Sequence, residues 1–190
     1  MDCIEHVRQH PPRCIAGFDV RPTELPGVQF DGHGSLPAHL RGIVSAPEHI
    51  NPIFALACKC GSNLHRVHGH EWTNPHRNNE VWFISPLALE CAACGRMTDL
   101  FDSDAHGYDA ELGSGVSAPR AEGRRVMLGC EDCEPTSFEA FARFEYPDDI
   151  FDGQTPEYAG REQDLFSWFT LVAKCSHCAR MTFVADFECA

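Results

Sequence analysis

The sequence predicts a mainly β protein made of two tandem, cysteine-clustered antiparallel units related by pseudo-symmetry, preceded by a proline-rich N-terminal arm. Three observations carry that expectation. Eight of the 11 cysteines fall into four close pairs, the segments around those pairs alternate apolar with polar residues, and the second half of the chain repeats pieces of the first. The chain has 190 residues, 43% of them apolar and 23% charged, which suits one compact domain or two small ones and argues against disorder throughout.

The cysteine pairs are Cys58 and Cys60 in CKCG, Cys91 and Cys94 in CAACG, Cys130 and Cys133 in CEDC, and Cys175 and Cys178 in CSHC. Cys3, Cys14 and Cys189 stand outside them. The opening MDCIEHVRQHPPRC lacks the apolar core of a secretion signal, and no stretch approaches the roughly 18 unbroken apolar residues of a membrane helix. A cytoplasmic protein is therefore expected, and a reducing cytosol does not sustain structural disulfides. Two thiolates separated by two residues at a tight turn point both sulfurs at one ion while backbone amides behind the turn donate hydrogen bonds to them. Two such knuckles complete a tetrahedral four-sulfur shell, so four predict two ions. Zinc suits this shell best, and iron uses the same ligands. Disulfides and a redox dithiol are the competing readings, and four pairs of this spacing favour ligation over both.

The internal repeat chooses among the three ways of joining four knuckles. FISPLALECAACGRMTDLFD, residues 83 to 102, parallels FTLVAKCSHCARMTFVADFE, residues 169 to 188, in its apolar lead-in, its knuckle and the triplet Arg-Met-Thr. More loosely, CKCGSNLHRVHGHEW matches CEDCEPTSFEAFARFEY, with Glu71 and Trp72 opposite Glu145 and Tyr146 after a gap. A unit duplicated whole keeps its own metal, which assigns Cys58, Cys60, Cys91 and Cys94 to one ion and Cys130, Cys133, Cys175 and Cys178 to the other.

In these residues the chain resembles the zinc-ribbon, or rubredoxin-like, family of metal-bound β-hairpins, over about residues 54 to 103 and 127 to 188. CAACG, from Cys91 to Gly95, is the most specific piece, since the turn after the second cysteine often needs a positive φ that glycine adopts without steric cost. The sequence departs from the pattern twice: Cys58 and Cys60 are one residue closer than usual, and Glu134 and Ala179 stand where the second unit would have glycine. A strained first site would then recruit His65 or His68. The resemblance implies a structural metal and leaves function open.

Element by element, residues 1 to 52 form the arm, with seven of the 13 prolines (Pro11, Pro12, Pro22, Pro26, Pro37, Pro47 and Pro52), so no long regular element is expected there. Ile15, Phe18, Val28, Phe30 and Leu40 would lay it over the repeats. Residues 53 to 104 are the first zinc-binding β unit, in which Val81 to Leu89 reads as a strand whose Pro86 implies an edge position or a bulge. Residues 105 to 125 read as a linker, rich in glycine, serine and alanine. Residues 126 to 190 are the second unit. There Phe138, Ala140, Ala142, Phe144 and Tyr146 form one apolar face against Glu139, Arg143 and Glu145, and residues 165 to 173 are apolar on both faces. Met181, Phe183, Ala185 and Phe187 alternate with Thr182, Val184 and Asp186.

Function is less legible. His65, His68, His70 and His76 crowd behind the first knuckle, and on a strand His68 and His70 share a face about 7 Å apart. An open metal site there with Glu71 as base is one reading, a metal-dependent enzyme; hydrogen-bonding or exposed histidines are the plainer one. Aligned against Ala142 and Phe144, His68 and His70 replace apolar groups, which marks the first unit for any local role. No phosphate loop or serine elbow is present, and nothing ties Cys3, Cys14 or Cys189 to a histidine and an acid. The formal net charge is −13, and eleven acids lie between Glu131 and Asp164 against Arg143 and Arg161. Such a surface repels phosphate backbones, and Arg120, Arg124 and Arg125 make only a short basic run, so a nucleic-acid-associated factor is the weakest reading. The favoured reading is a non-enzymatic, zinc-stabilised binding or scaffold protein whose acidic surface, dotted with Ile150, Phe151 and Tyr158, meets a basic protein partner.

Overall fold

The computed structural model describes residues 3–25, 51–74, 80–112, 120–147, 150 and 158–189. The expectations for Val28, Phe30, Leu40, His76 and Phe151, for most of the arm and for most of the acidic 148–164 loop lie outside these residues. In chain order the elements are α1 (Cys3–Gln9), a 3₁₀ turn (Arg13–Ile15), β1 (Asp19–Thr23), β2 (Ile53–Ala57), β3 (Leu64–Asn74), β4 (Glu80–Cys91), β5 (Met97–Phe101), α2 (Tyr108–Leu112), β6 (Val126–Met127), β7 (Phe138–Glu145), a second 3₁₀ turn (Glu162–Asp164), β8 (Trp168–Cys175) and β9 (Met181–Glu188). The fold is mainly β and its strand pairs are antiparallel. Strand order is β1-β2-β7-β3-β4-β5, with β8 and β9 extending from β7 and β6 paired to β3.

The registers define an approximate two-fold relation between the units. Within them, His65 lies opposite Cys91 and Phe138 lies opposite Cys175; between them, His65 pairs directly with Phe138. On one side β2 of the first unit pairs with β7, placing Phe54 opposite Ala142 and Ala55 opposite Phe141. On the other, β6 of the second unit pairs with β3, placing Val126 opposite Gly69 and Met127 opposite His68. The strand entering each first knuckle thus crosses to the other unit, and all the strands join one sheet. An antiparallel pairing about a two-fold axis is self-complementary, so the same hydrogen-bonding edge serves on both sides.

Three expectations are corrected by the registers and the burial, and the choice left open at Pro86 is decided. The spacing from Cys60 to His65 equals that from Cys133 to Phe138, so the length difference falls inside the first cysteine pair and not after it. His68 therefore corresponds to Phe141 and His70 to Arg143, each one place away from the sequence alignment. Pro86 does not mark an edge, because β4 has β3 on one side and β5 on the other; the register shifts on both flanks, and the bulge is what accommodates it. In β9 a bulge opposite Leu171 and Val172 breaks the alternation, leaving Phe183 exposed and Val184 buried. Finally, the polar face of β7 is not solvent-exposed along its length, since Arg143 and Glu145 are buried there as a 2.6 Å ion pair, with Asn51 Oδ1 accepting from Arg143 Nη2 at 2.6 Å.

The sheet curls until the two units share a core. Phe101 of β5 stacks on Phe169 at 4.4 Å between ring centroids and on Phe187 at 5.2 Å, and Phe166 meets Phe144 edge-on at 4.8 Å. Each such pair contributes about 1 kcal/mol beyond its buried area. Of the N-terminal segment, Val7, Ile15 and Phe18 are buried in this core. Arg13 fastens the segment to the second unit, its backbone N–H and Nε donating to Asp164 at 2.8 and 2.6 Å.

Candidate metal centres

All four cysteine pairs are held by one turn design. After the first cysteine of each pair the chain folds back so that a backbone N–H reaches that cysteine's carbonyl: Gly61 to Cys58 at 2.8 Å, Gly95 to Cys91 at 2.9 Å, Glu134 to Cys130 at 2.8 Å and Ala179 to Cys175 at 3.0 Å. The first cysteine's own N–H then donates across the turn, to Ser62, Arg96, Pro135 and Arg180 respectively, at 2.7 to 2.9 Å. The residue at the bend has a positive φ in every case: 93° at Gly61, 72° at Gly95, 66° at Glu134 and 60° at Ala179. The geometry is thus kept where the sequence lacks glycine, at the steric cost of a Cβ in the left-handed region. The shorter first pair closes the same turn with one residue fewer.

The turns bring the cysteines together in the two sets that the repeat assigns. The four Sγ atoms of Cys58, Cys60, Cys91 and Cys94 lie within 4.8 Å of one another, as do those of Cys130, Cys133, Cys175 and Cys178. Individual separations are 3.7 Å for Cys58–Cys94 and 3.6 Å for Cys60–Cys91, against 3.6 Å for Cys130–Cys178 and for Cys133–Cys175. A disulfide needs about 2.05 Å, so these thiols are free. A tetrahedron with zinc–sulfur bonds of about 2.3 Å has edges of about 3.8 Å, close to the spacing found. In each set the first cysteine of both pairs is buried, whereas Cys60, Cys94 and Cys178 are exposed, so the sites lie at the surface with one side anchored in the sheet.

Electrostatics within each set shows what a bound cation would do. The backbone N–H groups of Cys178 and His177 hold the Cys175 thiol down at about 6. Burial opposes ionisation of Cys91, but hydrogen bonds from the Cys94 and Ala93 N–H groups outweigh it and bring that thiol also to about 6. Their neighbours move the other way. At Cys58 the Cys60 N–H favours the thiolate, yet burial and three adjacent sulfurs push it up to about 12, and burial with the same crowding raises Cys133. One thiolate per set is stabilised by amides; the remaining protons leave only when a positive ion replaces them.

The other residues singled out in the sequence do not converge. His65 is buried, and its Nε2 donates to the Leu56 carbonyl at 3.1 Å. His68 and His70 share a face, but His68 turns to Glu90 at 3.1 Å, where Arg66 also binds, while His70 lies buried beside Arg120 and Arg125. Glu71 is exposed. Among the described residues, only the two cysteine sets bring three or more ligand atoms together. Cys14 and Cys189 are buried; burial raises Cys14 well above the usual thiol value, with Asp164 and Cys189 adding to it. No helix among the described residues is long and apolar enough to cross a membrane. The buried Arg143–Glu145 pair and the cleft beside His70 are not evident from the sequence alignment, because the signal that points to them is the correspondence of His70 with Arg143, which only the registers give.

No protein-family model matches the chain, and comparison with curated proteins and with solved structures finds no match either.

Proposed function

We propose that each four-cysteine set binds one structural zinc ion and that the chain is a non-enzymatic, zinc-stabilised binding protein. The observation that carries this reading is that the four sulfurs of each set lie within 4.8 Å of one another, with contacts of 3.6 to 3.7 Å between two knuckles from separate hairpins. A shell filled by four thiolates leaves zinc no position for water or substrate, so the ion acts as a fastener. It ties the start of β3 to the end of β4 in one unit, and the start of β7 to the end of β8 in the other. Metal binding adds to the cohesion that the shared core supplies.

The partner we propose is a basic protein surface. With two such sites the formal charge moves from −13 to about −17, because four thiolates and a divalent ion sum to −2. Glu131 and Asp132, at the rim of the second site, are exposed and share a single Arg180. Elemental analysis of protein purified without added metal tests the first part: two zinc per chain is expected, and a chain that folds metal-free ends the proposal. Iron would announce itself by thiolate-to-metal absorption. Affinity capture before and after neutralising Glu131, Asp132, Asp148, Asp149, Asp152 and Glu157 tests the second part. Salt-sensitive binding to a basic protein that the neutralised chain loses supports it, and identical capture by both chains refutes it.

A further inference from the structure

The two units differ at one face, which is filled in the second and open in the first. In the second unit Arg143 of β7 is covered by Asn51, which precedes β2, and faces Thr170 of β8. The registers give the first-unit counterparts. His70 replaces Arg143, Gly123 replaces Asn51 at the same distance before the first cysteine, and Pro86 replaces Thr170 at the same distance before the third cysteine. None of the replacements refills the space. An added Cβ at Gly123 would meet nothing within 4 Å, and a recess of about 510 Å³ remains, lined by His70, Pro86, Arg120, Glu122, Gly123 and Arg125 among others.

His70 is 8% exposed and lines the recess. The charges next to it are positive. Burial lowers its pKa, and Arg125 and Arg120 lower it further, as two cations facing one ring would. Arg120 is clamped from behind by Asp102 at 3.1 Å and Asp104 at 3.0 Å, with Glu122 3.9 Å away on the rim. Arg125 gives Nη1 to Asp99 at 3.0 Å and makes no other ion pair among the described residues.

We propose that this cleft binds a small oxyanion, the phosphate or carboxylate group of a ligand, between the Arg125 guanidinium and the His70 ring, with Arg120 flanking. Guanidinium forks match two oxygens of such a group, and the neutral imidazole adds one N–H. The surrounding carboxylates compete for the same donors, so the isolated group binds weakly, at about millimolar concentration. The site is separate from the cysteine sets and does not depend on the metal reading.

The test uses the full metal-loaded chain with ¹⁵N-labelled histidine, titrated with inorganic phosphate and separately with acetate at constant ionic strength in chloride. Saturable shifts of the His70 ring resonances are expected. Arg125→Gln should weaken the response at least about tenfold, and Arg125→Lys, which keeps the charge and loses the fork, should weaken it less. Lys174→Gln, a surface cation paired with Glu139, should leave it unchanged. A response to phosphate alone assigns a phosphorylated ligand, and a response to acetate as well assigns a carboxylate. His70 resonances that ignore both anions in the wild-type chain overturn the proposal, and so does an Arg125→Gln chain that responds as the wild type does.

Discussion

His65 and Phe138 sit directly across from each other in the β3–β7 pairing, and each also lies opposite the third cysteine of its own unit. The approximate two-fold axis passes between them, so one buried position is occupied by a histidine in one unit and by a phenylalanine in the other. His65 keeps its place by donating Nε2–H to Leu56, the last buried residue of the strand that crosses to the other unit. Replacing it with alanine empties space on the axis and strands that carbonyl. His65→Ala should cost about 2–4 kcal/mol in urea unfolding of the metal-loaded protein. A loss under about 0.5 kcal/mol, the size of an ordinary surface change, would show that the axis bears little of the cohesion.

The four turns offer a matched experiment in backbone strain. Glu134 and Ala179 hold the left-handed conformation that Gly61 and Gly95 adopt freely. Glu134→Gly and Ala179→Gly should each stabilise the protein by about 1 kcal/mol, and Gly95→Ala should destabilise it by a similar amount. Denaturation midpoints at fixed zinc concentration read all three; glycine at 134 or 179 lowering the midpoint would contradict the argument.

Metal removal should expose the thiols in two classes. A strong chelator is expected to release both ions and make the eight clustered cysteines reactive toward a thiol reagent, while buried Cys14 and Cys189 react only as the chain unfolds. Cys94→Ser should reduce bound zinc from two ions to about one, because the shells share no ligand. Loss of both ions in that variant would mean that the units cannot stand apart, which their common sheet makes a real alternative.

His106 supplies a pH signature remote from the sulfurs. Its Nδ1 accepts a hydrogen bond from the Asp102 N–H at 3.0 Å, which requires the neutral ring, and burial lowers its pKa despite the opposing pull of Asp102 and Asp164. The unfolded chain takes up this proton first as pH falls below about 6.5. Stability is therefore complete above that value and declines as the pH drops toward the lower folded-state value. In metal-loaded protein His106→Gln should flatten this decline; an unchanged slope would remove His106 as its source.

The identity and grouping of the clustered cysteines could be read from the sequence because both rest on local spacing and on a repeat that survives in a few residues around each turn. The mainly β character was equally local, carried by alternation in β7 and by the apolar run of β8. Tertiary structure alone decided what those strands meet. Nothing near Ile53 or Val126 says that β2 and β6 pair with the opposite unit, and the bulges at Pro86 and Val184 move side chains between faces without changing composition. Hydrogen-bond registers join residues far apart in the chain, so a one-residue offset that leaves the alternation looking intact still changes which groups are buried together. That offset separates a polar His70 opposite an apolar residue from a His70 that stands where its partner unit keeps a buried Arg143.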